Sequence, residues 1–80
     1  MDIGLARHTI RAAFRTTGEL ADLMQMLKAY CSAEEYKDYA IGIAAAIDSI
    51  NAALLDKIYS SHPELKKEVE ASMARYSCYL

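Results

Sequence analysis

Apolar and small residues recur at alternating spacings of three and four through the first third of the chain. The set comprises Ile3, Ala6, Ile10, Ala13, Thr17, Leu20, Met24 and Leu27. This spacing places all of them on one stripe of an α-helix and does not match the two-residue period of a strand. A glycine inside a helix costs about 1 kcal/mol relative to alanine, which a long apolar stripe can offset. We therefore predict one helix over about residues 2–30, with two helices broken at Gly18 as the alternative.

Two further helix starts follow from short polar motifs. The sequences "SAEE" (32–35) and "SHPE" (61–64) each place a serine three residues before a glutamate, the spacing of a capping box. Pro63 also suits the first turn of a helix, where its missing N–H is not needed. These signals predict helices over about residues 33–60 and 63–78. The apolar face expected for the last helix consists of Leu65, Val69, Met73 and Tyr76.

The second predicted helix is apolar over most of its circumference. At ~100° per residue, one stripe contains Tyr36, Ala40, Ile43, Ile47, Ile50, Leu54 and Ile58. Other apolar residues lie to the side and back of that stripe, namely Ile41, Ala44, Ala45, Ala52, Leu55 and Tyr59. A helix of this kind is usually buried on more than one side, so we expect two neighbours. One is the first helix, and the other is the third helix or a second copy of the chain.

These elements predict an all-α fold with a single helical domain over residues 1–80. Its centre is an antiparallel hairpin of two long helices, joined by a shorter C-terminal helix. The long helices would span ~40 Å and the third only ~24 Å, so part of the hairpin would stay uncovered. An exposed apolar surface of that kind typically marks an association site. We expect dimerisation to complete the bundle, with another helical protein as the alternative partner.

Charge is unevenly distributed, although the net charge is only −2. Residues 1–17 contain three arginines and one aspartate, whereas residues 34–70 contain eight acidic residues and four lysines. The arginines Arg7, Arg11 and Arg15 recur every four residues and form one helical stripe. That stripe could bind an anion or a nucleic acid, although nucleic-acid-binding proteins are usually more basic overall. Alternatively, the arginines pair inside the protein with the acidic side chains expected nearby, which are Asp56, Glu64, Glu68 and Glu70.

The sequence contains no motif for catalysis or for a cofactor. Gly-rich phosphate loops, Ser–His–Asp arrangements and Glu-x-x-His metal motifs do not occur in it. His8 and His62 could share one end of the bundle but lack further ligands at suitable spacing. Cys31 and Cys78 are predicted to lie too far apart for a disulfide. We therefore expect a non-catalytic protein without a cofactor or a metal ion.

The remaining expectations concern location and partners. The longest apolar run, residues 40–47, is far below the roughly 20 residues of a membrane span, and "MDIGLARHTIR" lacks the apolar core of a secretory signal. We therefore expect a cytoplasmic protein. Tyrosines at the first turn are typical of a contact surface, so the candidate partner-binding residues are Tyr30, Tyr36, Tyr39 and Ile41. The function predicted is a small interaction module, either a regulator or an assembly adaptor; the alternatives are an anion- or nucleic-acid-binding protein and a small-ligand-binding helical bundle.

Overall fold

The computed structural model describes residues 1–79, and these residues contain helices and no strand. The predicted all-α class is therefore confirmed. Helix α1 covers Ile3–Tyr30 and is followed by α2, Ala33–Ile50. A π-helical segment, Asn51–Asp56, connects α2 to α3, Lys57–Ser61. Helix α4 covers Pro63–Tyr76.

α1 is unbroken through Gly18. α2, the π segment and α3 also form one continuous rod, because the residues at both junctions keep right-handed helical backbone angles. We call this rod, residues 33–61, the second helical rod. The chain therefore consists of two long rods and the shorter α4.

Helix starts show which capping motifs the chain uses. Ser32 caps α2: its hydroxyl accepts a hydrogen bond from the backbone N–H of Glu35 at 3.2 Å and donates one to the Glu35 carboxylate at 3.2 Å. The expected box at Ser61 is wrong, because Ser61 ends α3 and its hydroxyl instead donates to the carbonyl of Lys57. α1 has a cap that the sequence reading missed, since the Asp2 carboxylate accepts hydrogen bonds from the N–H groups of Gly4 and Leu5.

The buried core lies at one end of the molecule, where the two long rods and α4 meet. It contains Ala6, Ile10, Ala13, Leu55, Ile58, Leu65 and Val69. The start of α1 therefore lies beside the end of the second helical rod and beside the first half of α4. Away from this core, Ile43 alone among the described residues is buried.

The π segment changes which side of the second helical rod faces the core. The predicted stripe continued from Ile50 to Leu54, but Leu54 is 39% exposed and Leu55 is only 6% exposed. A π turn contains more residues than an α turn, so the next core position after Ile50 comes five residues later instead of four. The stripe prediction is therefore wrong at Leu54. Leu55, which the prediction places beside the stripe and against a second neighbour, is buried in the core that includes Leu65 and Val69 of α4. Ile43 is buried on the α2 part of the rod, and Leu55 belongs to the core where α1, the second helical rod and α4 meet.

α4 is shorter than predicted and turns the chain back. It ends at Tyr76, and Ser77 adopts a left-handed backbone with φ 62°. The Ser72 hydroxyl donates to the carbonyl of Cys78 at 2.7 Å, which holds the turn. The predicted apolar face of this helix is buried only in its first half, because Met73 is 44% and Tyr76 is 53% exposed.

The overall shape follows from this unequal coverage. The extents are 44 × 25 × 16 Å, and the shortest is less than two helix diameters of 10–12 Å. Much of the molecule is thus a flat pair of helices, with α4 packed on one side near one end.

Candidate functional site

A polar network joins the start of α1 to α4 and to the residues that follow it. The Arg7 guanidinium donates to both carboxylate oxygens of Glu68, with N–O distances of 3.1 to 3.3 Å. The Tyr79 hydroxyl donates to the same carboxylate at 3.0 Å. The Tyr79 ring lies 5.0 Å from the Arg11 guanidinium carbon and meets the Phe14 ring edge-on, with centroids 6.3 Å apart.

Protonation in this network follows from its hydrogen bonds. Those from Arg7 lower the pKa of Glu68 below its ordinary value, an effect that burial partly opposes and that Tyr79 and the charge of Arg11 reinforce. The pKa of Tyr79 is raised, first by burial and then by its hydrogen bond to the Glu68 carboxylate. The network therefore holds Glu68 ionised and Tyr79 neutral at neutral pH.

The network also shows which of the two alternatives for the arginine stripe, internal pairing or binding of an outside anion, applies to Arg7. Of the four acidic residues expected near the arginines, Glu68 pairs with Arg7. Arg11 is held over Tyr79. Internal pairing is therefore confirmed for Arg7, while binding of an outside anion by the three arginines stays a prediction.

A groove opens beside this network, where α4 ends and the pair of long rods continues. Its volume is about 610 Å³. We call it the basic groove. The lining side chains come from α1, α2, α4 and the tail: Arg11, Phe14, Arg15, Thr17, Gly18, Ala21, Ile47, Met73, Ser77, Cys78 and Tyr79. Among the described residues, those that line it include two arginines and no acidic side chain.

A second concave surface lies between α1 and the second helical rod. It consists of two shallow cavities of about 200 and 210 Å³ that share Thr9 and Leu54. The other lining residues are Met1, Ala12, Ala13, Thr16, Ile50, Ala53, Lys57, Ile58, Ser61 and His62. No residue within α4 lines it. This surface is therefore distinct from the basic groove.

Helical spacing extends this second surface along both rods. Leu5 and Leu23 lie seven residues from Ala12 and Thr16, which places them on the same side of α1. Tyr30 lies seven residues beyond Leu23, and Tyr39 lies eleven residues, or about three turns, before Ile50. We call the whole surface the open face and define it by Leu5, Thr9, Ala12, Thr16, Leu23, Tyr30, Tyr39, Ile50 and Leu54.

The predicted tyrosine cluster is only partly brought together. Tyr30 is 87%, Tyr39 is 56% and Ile41 is 63% exposed, whereas Tyr36 is half-buried. Side chains two positions apart in an α-helix point about 200° away from each other around its axis. Ile41 therefore lies on the side of α2 opposite Tyr39. One flat partner cannot cover both side chains.

The histidines occupy different environments. His8 is exposed. The Nε2 atom of His62 lies 3.0 Å from the carbonyl of Met1, and its Nδ1 atom lies 3.4 Å from the Glu64 carboxylate. Within residues 1–79, no three His, Cys, Asp or Glu side chains are grouped so that they could hold a metal ion.

The sequence reading missed Tyr79 and Glu68 as a pair and missed the basic groove. Both depend on the turn at Ser77, for which the sequence has no glycine as a signal. In the described part of the chain, no helix is long and apolar enough to cross a membrane. No known protein family, curated protein or solved structure matches the chain.

Proposed function

We propose that this protein is a small, non-catalytic interaction module that forms a homodimer through the open face. The observation that carries this proposal is the number of large apolar side chains left exposed along that face. Leu5 is 51%, Leu23 is 42%, Tyr30 is 87% and Tyr39 is 56% exposed. In a monomer such a patch is exposed to water, which is unfavourable in free energy, and burial in a dimer interface would remove this penalty.

The dimensions of the molecule support a dimer of ordinary size. A rectangle of 44 × 25 Å, the two longer extents, encloses about 1,100 Å². Stable interfaces bury about 800 Å² per partner, so most of one broad side would be needed. A second copy supplies a matching flat surface, and the paired faces would form a two-layered bundle of four long rods around a shared apolar centre.

Composition of the open face predicts how the dimer responds to salt. The nine residues that define it are apolar or hydroxyl-bearing, and the ionisable side chains that line its two cavities are those of Lys57 and His62. Association would therefore rest on apolar burial, which salt does not screen. Charged side chains would lie at the rim, where they contribute little.

Light scattering coupled to size exclusion tests the proposal. We expect a mass of two chains at low and at high salt. Tyr39→Asp places a charge on the open face and should weaken dimerisation about thirtyfold or more, since buried interface tyrosines contribute about 2 kcal/mol or more. Ile41→Asp is the matched control, because Ile41 is similarly exposed but lies on the opposite side of α2. A monomeric wild type, or a dimer broken equally by both variants, would contradict the assignment.

The dimer leaves Arg15 and the basic groove outside the interface. A regulator or an assembly adaptor would use such remaining surfaces for its other partner. Ile41 and its exposed neighbours Asp38 and Asp48 form another such surface, on the side of α2 that the dimer does not use. We propose these as the sites at which a different protein would bind.

A further inference from the structure

We propose that the two copies of the homodimer pack antiparallel, with Tyr39 of each copy inserted into the cavity beside Leu54 and Lys57 of the other. The occupant of that cavity, whose volume is about 200 Å³, is thus a side chain of the second copy. This inference rests on the proposed function and deepens it by naming which side chain meets which surface. A homodimer with another arrangement would refute it and leave the proposed function intact.

The open face is uneven along its length. The cavities lie toward the end of the molecule that holds the core, which we call the core end, and their lining includes Thr9, Ala53 and Leu54. Large side chains project near the opposite end, which we call the turn end: Tyr30 is 87% and Tyr39 is 56% exposed. Close packing in an interface requires each projection to meet a hollow. The cavities at the core end are the hollows that this face offers.

Two symmetric arrangements bring one open face onto another, because the two-fold axis can run along the rods or across them. An axis along the rods places each turn end on the partner's turn end. Tyr39 then lies level with the partner's Leu23, which is itself 42% exposed, and the cavities face one another. An axis across the rods places each turn end on the partner's core end. Only this antiparallel arrangement brings the tyrosines over the hollows.

Positions along the second helical rod agree with this arrangement. The rod covers residues 33–61, so full overlap of two copies places the axis near its midpoint, Ile47. At 1.5 Å per residue, Tyr39 lies about 12 Å to one side of that midpoint, and Ala53 and Lys57 lie about 9 and 15 Å to the other side. Helical side chains also slant toward the N-terminus of their helix. The Tyr39 ring is therefore carried toward the partner's Lys57 and into the cavity.

The lining of this cavity suits a tyrosine in particular. Ala53 and Ile58 contribute apolar walls, and Ser61 lies at the edge. The Ser61 hydroxyl donates to the carbonyl of Lys57 at 3.4 Å, so its oxygen can accept a hydrogen bond from a phenol. A buried tyrosine combines an apolar ring with a hydroxyl that needs such a partner. The cavity therefore matches both parts of the Tyr39 side chain.

Charge favours the same orientation. Glu35 lies one turn before Tyr39 on the same side of α2, and the antiparallel arrangement brings it within about 3 Å of the level of the partner's Lys57 along the rod. Both side chains are exposed. The Glu35 carboxylate accepts a hydrogen bond from Ser32, and the ion pairs within residues 1–79 involve neither Glu35 nor Lys57. By symmetry the contact occurs twice. Exposed pairs of this kind add little affinity but select an orientation.

The first experiment is a nuclear Overhauser measurement on the wild-type protein, between the Tyr39 ring and the Leu54 methyl groups. These residues lie about 22 Å apart along one rod, so a contact between them arises only between two copies. We expect this contact in the antiparallel dimer. Its absence from a sample that light scattering shows to be dimeric would refute the arrangement.

A single cysteine near the two-fold axis gives a second test, in a chain that carries Cys31→Ser and Cys78→Ser. Ala46 is exposed and lies four residues before Ile50 on the open face. Packed helix axes lie 8–10 Å apart and Cα atoms lie about 2.3 Å from each axis, so facing Cα atoms come within about 4–6 Å, the range of a disulfide. With the axis along the rods, the two rods would instead lie diagonally opposite, about 14 Å apart.

Oxidation of the Ala46→Cys variant should therefore link most of the dimer covalently. Ala44→Cys is the matched control, because Ala44 is also exposed but lies two residues away, on the opposite side of α2. It should give no linked dimer. Equal linking of both variants, or of neither, would refute the antiparallel arrangement.

Charge exchange tests the contact at the rim. At low salt, Lys57→Glu makes both symmetric contacts repulsive and should weaken dimerisation about tenfold, or about threefold for each contact. Adding Glu35→Lys to the same chain should restore it. Lys67→Glu, on α4, is the matched control and should change nothing. The effect should disappear at high salt, which screens exposed charges. A lack of rescue by the exchange would refute the contact, whereas a monomeric wild type would overturn both this arrangement and the proposed function.

Discussion

Leu54 and Leu55 offer a direct test of the π segment, because a regular α-helix and the observed rod bury opposite members of this pair. In the structure Leu55 is 6% exposed and belongs to the core with Ile10 and Leu65, whereas Leu54 is 39% exposed. We therefore compare Leu55→Ala with Leu54→Ala. The two variants make the same chemical change at adjacent residues of one helix.

The expected costs follow from burial. Leucine-to-alanine changes in a core cost about 2–5 kcal/mol, and we expect about 3 kcal/mol for Leu55. Full burial of a leucine side chain contributes about 1.5–3 kcal/mol; for the partly exposed Leu54 we expect about 1 kcal/mol. A protein of 80 residues has a total stability of roughly 4–12 kcal/mol. The Leu55 change therefore removes a large share of it.

Urea unfolding followed by circular dichroism measures both costs. With a slope of about 1 kcal/mol/M for a small protein, the midpoint should fall by about 3 M for Leu55→Ala and about 1 M for Leu54→Ala. Since Leu54 belongs to the open face, both variants are measured at low and high protein concentration; any cost due to lost association depends on concentration. A larger concentration-independent cost for Leu54→Ala would refute the π register and restore the regular stripe.

Four further predictions concern caps, charges and backbone. Glu68→Gln should destabilise the protein at pH 7, and the difference from wild type should shrink by pH 3: the lowered pKa of Glu68 means that its stabilisation is lost as the pH falls through that value. A difference that persists at pH 3 would argue against the ionic role. Tyr79→Phe should be less stable than wild type near neutral pH, with the gap closing above pH 10, because the pKa of Tyr79 is raised and the stabilising neutral form is lost there; a gap independent of pH in urea unfolding would oppose this. Gly18→Ala should stabilise by about 1 kcal/mol, or about 4–8 °C in Tm, and a lower Tm would indicate that something covers Gly18. Ser32→Ala should cost about 1 kcal/mol in urea unfolding, and an unchanged midpoint would show that the cap contributes nothing.

Local sequence determined the helices and the side of α1 that faces the protein. The stripe predicted from Ala6, Ile10 and Ala13 is buried, because the period of an α-helix is a local property that apolar spacing reports directly. Ser32 was likewise predictable as a cap, since the groups that satisfy one another are three residues apart. Each of these features depends on neighbours within about one turn.

Only tertiary packing decided the register after Ile50. Leu54 and Leu55 are both apolar, and a regular α-helix would place Leu54 on the same stripe as Ile50. The second helical rod must contact α1 along its length and also meet α4 near its end, and a π turn rotates its far end so that Leu55 satisfies the second contact. Such a rotation has no signal in the spacing of apolar residues, because its cause lies on another helix.

Some features of the candidate sites also follow from local sequence, whereas others depend on contacts between distant parts of the chain. The exposure of Tyr30 and Tyr39 follows from their place at the turn, beyond the reach of the short α4. Arg7 and Glu68, which pair, are 61 positions apart in the chain. The sequence predicted four acidic residues near the arginines but did not indicate which of them would pair with Arg7. The basic groove exists because the chain turns at Ser77 and places Tyr79 against α1. That return depends on contacts between distant residues, which no local pattern encodes.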